Sequence, residues 1–181
     1  MPVAGSGWAL APEGILITVD GTIATAYDPL TGFSEALPDL PRAFSSPAVA
    51  IVNGEIFIFG GDPRDQTIWQ SNPGLRFDGL SWSFTPGIKT YKRGFGNYAK
   101  QYYLIQGART ALPQADGSIV LAGNSGWNGS EYFYYARVDI FHPDTNTWTR
   151  GPDLPASIPN GEVWTDNIIL DLDSGAIVQF N

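Results

Sequence analysis

A single histidine, His142, and the absence of cysteine narrow the chemistry open to this 181-residue chain. Without a thiol there is no thiolate nucleophile, no disulfide and no cysteine-ligated zinc. His142 lies in "FHPDTNTW", a turn-like stretch, and catalytic triads and multi-histidine metal centres need more than it offers. Carboxylates remain, and paired carboxylates can act as general acid and base. Asp62, Asp65 and Glu131 are candidates, yet their spacing singles out no pair. No glycine-rich phosphate loop or dinucleotide fingerprint occurs. The chain reads as non-catalytic, with no metal or cofactor implied.

Residue types suited to binding are better represented, in three segments. "GGDPRDQTIWQSNPG" carries Asp62, Arg64 and Trp69, and "GIKTYKRGFGNYAK" carries Lys89, Tyr91, Lys92 and Arg93. "GNSGWNGSEYFYYAR" carries Trp127, Glu131 and Tyr132. Tyr, Trp and Arg are the side chains that most often anchor interfaces. Tyr and Trp also stack on sugar rings, so a carbohydrate-binding or carbohydrate-active module is the alternative. For any one of these aromatics, packing back onto the scaffold is the commoner role. Residues 79–115 hold half of the ten basic residues and no acid, in a chain of net charge −8. Such a segment suits an acidic partner, or it relieves the negative self-repulsion of the remainder.

The elements that must position these segments follow from composition and repeats. Apolar residues make up 43% and aromatics 13%, with 21 glycines and 14 prolines, a mixture that suits short strands and tight turns. The negative charge disfavours nucleic acid. No apolar run approaches the 18 residues of a membrane span. The opening "MPVAGSGWAL" lacks the basic and apolar regions of a signal peptide, and the compartment stays open.

A turn glycine followed by a short apolar strand recurs at Gly14, Gly54, Gly117 and Gly175, in "EGILITVDG", "NGEIFIFGG", "DGSIVLAGN" and "SGAIVQFN". Asn-Gly and Asp-Gly pairs favour type I′ hairpins, because glycine takes positive φ without a steric penalty. A second unit recurs beside it. "AYDPLTGFSEALPDLP" and "IFHPDTNTWTRGPDLP" align, with "LRFDGLSWSFTPGI" as a weaker copy. In this alignment Tyr27 matches Phe141, and Phe33, Trp82 and Trp148 match one another as wedges between repeats. Each repeat is therefore four strands, A to D.

These two registers together resemble the kelch repeat, in which strand B ends on Gly-Gly before an aromatic-Asp-Pro turn and a tryptophan. The glycine pair is intact only at Gly60-Gly61. The resemblance implies an all-β, kelch-type β-propeller of four-stranded antiparallel blades, with repeats near 8–41, 47–86, 108–155 and 166–181. It implies that the paired glycines let the inner strands bend and approach one another. Galactose oxidase shares this architecture, but its copper and Tyr–Cys cofactor cannot be carried over to a chain without cysteine. Strand alternation places B–C and D–A connections on one face, and the long segments 61–74, 86–100, 123–135 and 152–166 all belong to these two classes. The expected function is a binding or scaffold module presenting that face to a protein partner. Closing a ring on this length would need about four blades, the small end of the range. An incomplete or small propeller of three to four blades is expected, its free edges paired with another chain, either a protein partner or a second copy.

Overall fold

The computed structural model describes residues 7–44, 47–60, 71–89, 110–122, 125–127, 132–134, 138–152, 168–171 and 176–179. Every regular element among them is a strand. The first sheet comprises β1 (Gly7–Leu10), β2 (Leu16–Asp20), β3 (Ile23–Tyr27) and β4 (Ser34–Ala36), in that order. The second comprises β5 (Pro47–Val52), β6 (Glu55–Gly60), β7 (Ser71–Phe77) and β8 (Trp82–Lys89), again in sequence order. In the third, β9 (Thr110–Pro113), β10 (Ile119–Ala122), β13 (Asp139–His142) and β14 (Thr147–Arg150) follow the same antiparallel plan. Between β10 and β13 lies a two-stranded ribbon, β11 (Ser125–Trp127) and β12 (Tyr132–Tyr134). A hairpin of β15 (Ile168–Asp171) and β16 (Ala176–Gln179) follows the third sheet.

The A–B turns obey the glycine signal by two different routes. Asn53 and Gly54 both have positive φ, 51° and 79°, as a type I′ turn requires. The other two described turns are one residue longer. Gly14 N–H donates to Ala11 C=O and Gly117 N–H to Gln114 C=O, and within each turn only the glycine is left-handed. These are type I turns closed by a glycine bulge, so among the three described turns the type I′ expectation holds at Asn53-Gly54. In the first case a type I′ turn would need positive φ at Glu13, which a long side chain rarely adopts, whereas Pro12 suits the first central position of the type I turn.

Gly60 ends β6 with φ +65°, a conformation that side chains rarely adopt, and so bends the chain out of the sheet. A close approach of inner strands is seen at Gly7. A Cβ on Gly7 would run into the Pro47 carbonyl where β1 meets β5.

The second sheet is sandwiched, which is why "PAVAIV" and "EIFIFG" are apolar on both faces rather than alternating. One face packs Val49, Ile56, Ile58, Leu75 and Phe77 against Ile17, Val19 and Ala24 of the first sheet. The other packs Ala48, Ala50, Val52, Phe57 and Phe59 against Ile119, Leu121 and Phe141 of the third.

The expected wedges are corrected by the strand register. Phe77 lies opposite Trp82, and Phe141 opposite Trp148, but Tyr27 lies opposite Ser34. Phe33 is one residue out of register with the tryptophans. Because side chains alternate across a strand, that slip takes it off the row that Ser34 shares with Tyr27.

Candidate functional site

The strand directions bring the ends of the long connections to one side of the molecule. In each sheet the second and third strands are joined there, and so is each sheet to the next. The first sheet uses a minimal connection, Gly21-Thr22, clamped by paired backbone bonds to Phe44, Gly21 N–H to Phe44 C=O at 3.0 Å and Phe44 N–H to Gly21 C=O at 2.8 Å. The run to the second sheet then buries Leu40 and Phe44. The second and third sheets leave the same side through much longer stretches, from Gly60 to Ser71, from Lys89 to Thr110 and from Ala122 to Asp139.

The last of these carries the ribbon. Ser125 pairs with Tyr134, Gly126 with Phe133 and Trp127 with Tyr132. A loop was expected over 123–135. Instead, two predicted binding residues, Trp127 and Tyr132, sit directly across a two-stranded sheet from each other. Lys89 is the final residue of β8, where the basic segment begins. Asp62, Arg64, Asp65, Trp69, Tyr91, Lys92, Arg93 and Glu131 lie outside the described residues.

Arg42 is a residue that the composition-based reading passed over. It lies in the connection from β4 to β5 and donates from Nη2 to the Pro73 carbonyl at the start of β7, 2.6 Å away. Its guanidinium covers the Phe44 ring at 4.1 Å from the centroid. Burial lowers its pKa to about 10, so it remains a cation at neutral pH. The available signal was an arginine two residues before an aromatic within a proline-bounded connection, a weak pattern in isolation.

The opposite side, where the A–B and C–D turns lie, is a surface of closed turns. Asp28 Oδ1 accepts from Leu30 N–H at 2.8 Å, and Asp78 Oδ1 from Leu80 N–H at 2.9 Å. Asp116 Oδ1 accepts from Ser118 N–H at 2.9 Å and from its hydroxyl at 2.7 Å. These bonds stabilise the ionised carboxyls and lower all three pKa values, with the side-chain hydroxyl bond leading at Asp28 and Asp116 and a backbone bond at Asp78. His142 is the last residue of β13 rather than a turn residue, and its Nε2 lies 2.7 Å from Thr149 Oγ1.

Two further contacts hold the sheets in place beneath these surfaces. Trp82 Nε1 donates to the Pro38 carbonyl of the first sheet's exit at 2.7 Å, and Trp148 Nε1 to Pro86 of the second sheet at 2.8 Å. Each acceptor proline stands four residues after the position that the indole occupies in its own sheet, Ser34 and Trp82 respectively. Pro152 repeats this spacing after Trp148.

No family model matches the chain. Kelch-like protein 30 of Homo sapiens is 22% identical over 131 residues, which cover 71% of this chain and 19% of that protein. Among solved structures, that of YjhT aligns at a TM-score of 0.62 and 14% identity, over 86% of this chain and 53% of that one. A fungal alcohol oxidase of the AA5 family, in complex with copper, aligns at a TM-score of 0.48 and 18% identity, over 82% of this chain and 30% of its own. The fold is that of a partial kelch-type β-propeller, as the repeats imply. The chain spans about half the length of the YjhT structure and a fifth of the human protein.

Proposed function

We propose that this chain is a non-catalytic binding module that presents its long B–C and D–A connections to a protein partner. The observation that carries this reading is the ribbon on the B–C connection of the third sheet, with Trp127 opposite Tyr132. A paired ribbon fixes its residues better than a loop does, and rigid aromatic anchors lose little conformational entropy on binding. The basic segment that begins at Lys89 favours an acidic partner surface. Replacing Lys89, Lys92 and Arg93 together with glutamate is expected to weaken capture of the partner, and to flatten the salt dependence of binding, while the circular dichroism spectrum stays unchanged. Unchanged affinity and salt dependence would remove the basic segment from the interface.

The same ribbon supports a second reading, a carbohydrate-binding propeller, because Trp and Tyr faces stack on sugar rings. Glycan-array binding abolished by Trp127→Ala would favour it. Partner capture that survives this substitution but fails on the charge reversal would favour the protein.

A further inference from the structure

The exposed large apolar residues among the described ones fall into two groups. Trp8, Leu10, Ile23 and Tyr27 share one face of the first sheet. The other four lie on the C–D hairpins of the first and second sheets, at the rim of the turn side. Leu30 is 91% exposed, Leu80 85%, Phe33 65% and Phe84 56%. Leu30 and Leu80 are equivalent. Each follows by three residues the aromatic that ends its third strand, Tyr27 or Phe77. Each also donates its backbone N–H to the aspartate that caps its turn, which fixes the backbone at the hairpin tip. Phe84 lies opposite Leu75, which packs toward the first sheet, so Phe84 carries that packing face outward to the rim. Where Trp82 donates to the Pro38 carbonyl, 2.7 Å away, the two hairpins are tied together.

The same two hairpins carry one sign of charge. Residues 28–39 and 78–87 contain Asp28, Glu35, Asp39 and Asp78 and no lysine or arginine. Arg76, two residues before Asp78, is engaged in an ion pair with Glu55. The hairpin of the third sheet differs on both counts. Its residues 142–152 set Asp144 against Arg150, and Arg150 stands where the second sheet has Phe84. None of its described residues is an exposed large apolar one, since Trp148 is partly buried. Single apolar residues are ordinary on a protein surface. Four on two adjoining hairpins, with none on the third, mark a place of contact.

We propose that the rim formed by the first two C–D hairpins docks a basic amphipathic helix of a protein partner. This surface is separate from the loop side, and its charge calls for a partner of the opposite kind. The leucines and phenylalanines supply the apolar contact, and the four carboxylates select lysine or arginine beside it. Packed sheets stand about 10 Å apart, so Leu30 and Leu80 are separated by about the rise of two helical turns. One face of a single helix therefore meets both. An added strand fits less well. The edge of β8 is interrupted by Pro86 and by the irregular register between Phe84 and Gly87, and β4 is short. The acidic rim also disfavours an anionic membrane surface.

A labelled helical peptide of leucine and lysine, with the leucines on one face, is the probe. Fluorescence anisotropy should show micromolar binding that weakens as salt rises. Leu30→Ser combined with Leu80→Ser should lower the affinity about tenfold or more, with an unchanged circular dichroism spectrum. Glu35→Gln with Asp39→Asn should weaken binding and flatten its salt dependence. Asp144→Asn on the third hairpin, and Leu10→Ser with Ile23→Ser on the face of the first sheet, should leave the affinity unchanged. Absence of binding, or affinity unmoved by the leucine pair, would overturn the proposal. So would equal affinity for a leucine–glutamate peptide of the same pattern. Binding lost in Leu10→Ser with Ile23→Ser would place the peptide on the other surface, and would overturn it too. Self-association of the wild-type chain that the leucine pair abolishes would mean that a second copy occupies the rim, again overturning it.

Discussion

The two faces of the second sheet make the same kind of junction from different materials. Toward the first sheet the filling is mainly aliphatic, with Val49, Ile56, Ile58 and Leu75 against Ile17, Val19 and Ala24. Toward the third it is aromatic. Phe57 and Phe59 stack on each other and both meet Phe141, and Trp148 meets Phe59 and Phe141, with centroids 4.9–6.2 Å apart. On the face toward the third sheet, small residues on one strand stand beside large ones on the next, Ala48 paired with Phe59 and Ala50 with Phe57. Both junctions are closed by an indole N–H on a prolyl carbonyl of the preceding sheet. The polar clamp is common to both, while the chemistry of the filling varies.

Trp148→Ala should separate the two junctions most sharply. It should cost about 3 kcal/mol, the lower end of the range for truncating a large aromatic, because the indole is only partly buried. Trp82 lies tilted against the Phe77 ring at 4.8 Å, outside the four-ring cluster, so Trp82→Ala should cost less, roughly 2 kcal/mol. Denaturant titration of both variants reads the difference. Equal losses would mean that the aromatic cluster adds nothing beyond the clamp.

Phe33→Ala sharpens the comparison from the other side. Phe33 resembles the junction tryptophans in the sequence alignment but lies outside both junctions. Its truncation should change stability by less than about 0.5 kcal/mol. A loss as large as that of Trp82→Ala would restore it as a wedge.

The smallest expected effect belongs to the turns beneath the junctions. Asp28, Asp78 and Asp116 have folded pKa values below their ordinary 3.8. A depressed folded value stabilises the fold above the unfolded pKa, and this contribution is lost as pH falls through the folded values. The melting temperature should therefore decline below about pH 4, the ordinary carboxylate range. Replacing the three residues with asparagine should flatten that decline. These carboxyls are fully exposed, so the change should be modest.

The spacing of turn glycines and the aromatic-Asp turns were sufficient to read the four-stranded repeat and the all-β class, because both depend on local φ preferences. The register of β4 was not legible. Its three residues are all exposed, so no alternation of burial distinguishes Phe33 from Ser34 as the partner of Tyr27. The clamp was half legible. The Trp-x-x-x-Pro spacing at 82–86 and 148–152 is visible in the chain, but the acceptor of each indole belongs to a different repeat. The ribbon at Trp127 and Tyr132 was hidden by its glycines and asparagines, which read as loop.

By itself, then, the sequence determined where strands begin, where they turn and how often the pattern repeats, since these are properties of a few neighbouring residues. Tertiary structure alone decided which face of each strand is covered and which indole meets which carbonyl. Those outcomes turn on pairing between segments dozens of residues apart, where a shift of one position reverses every side chain.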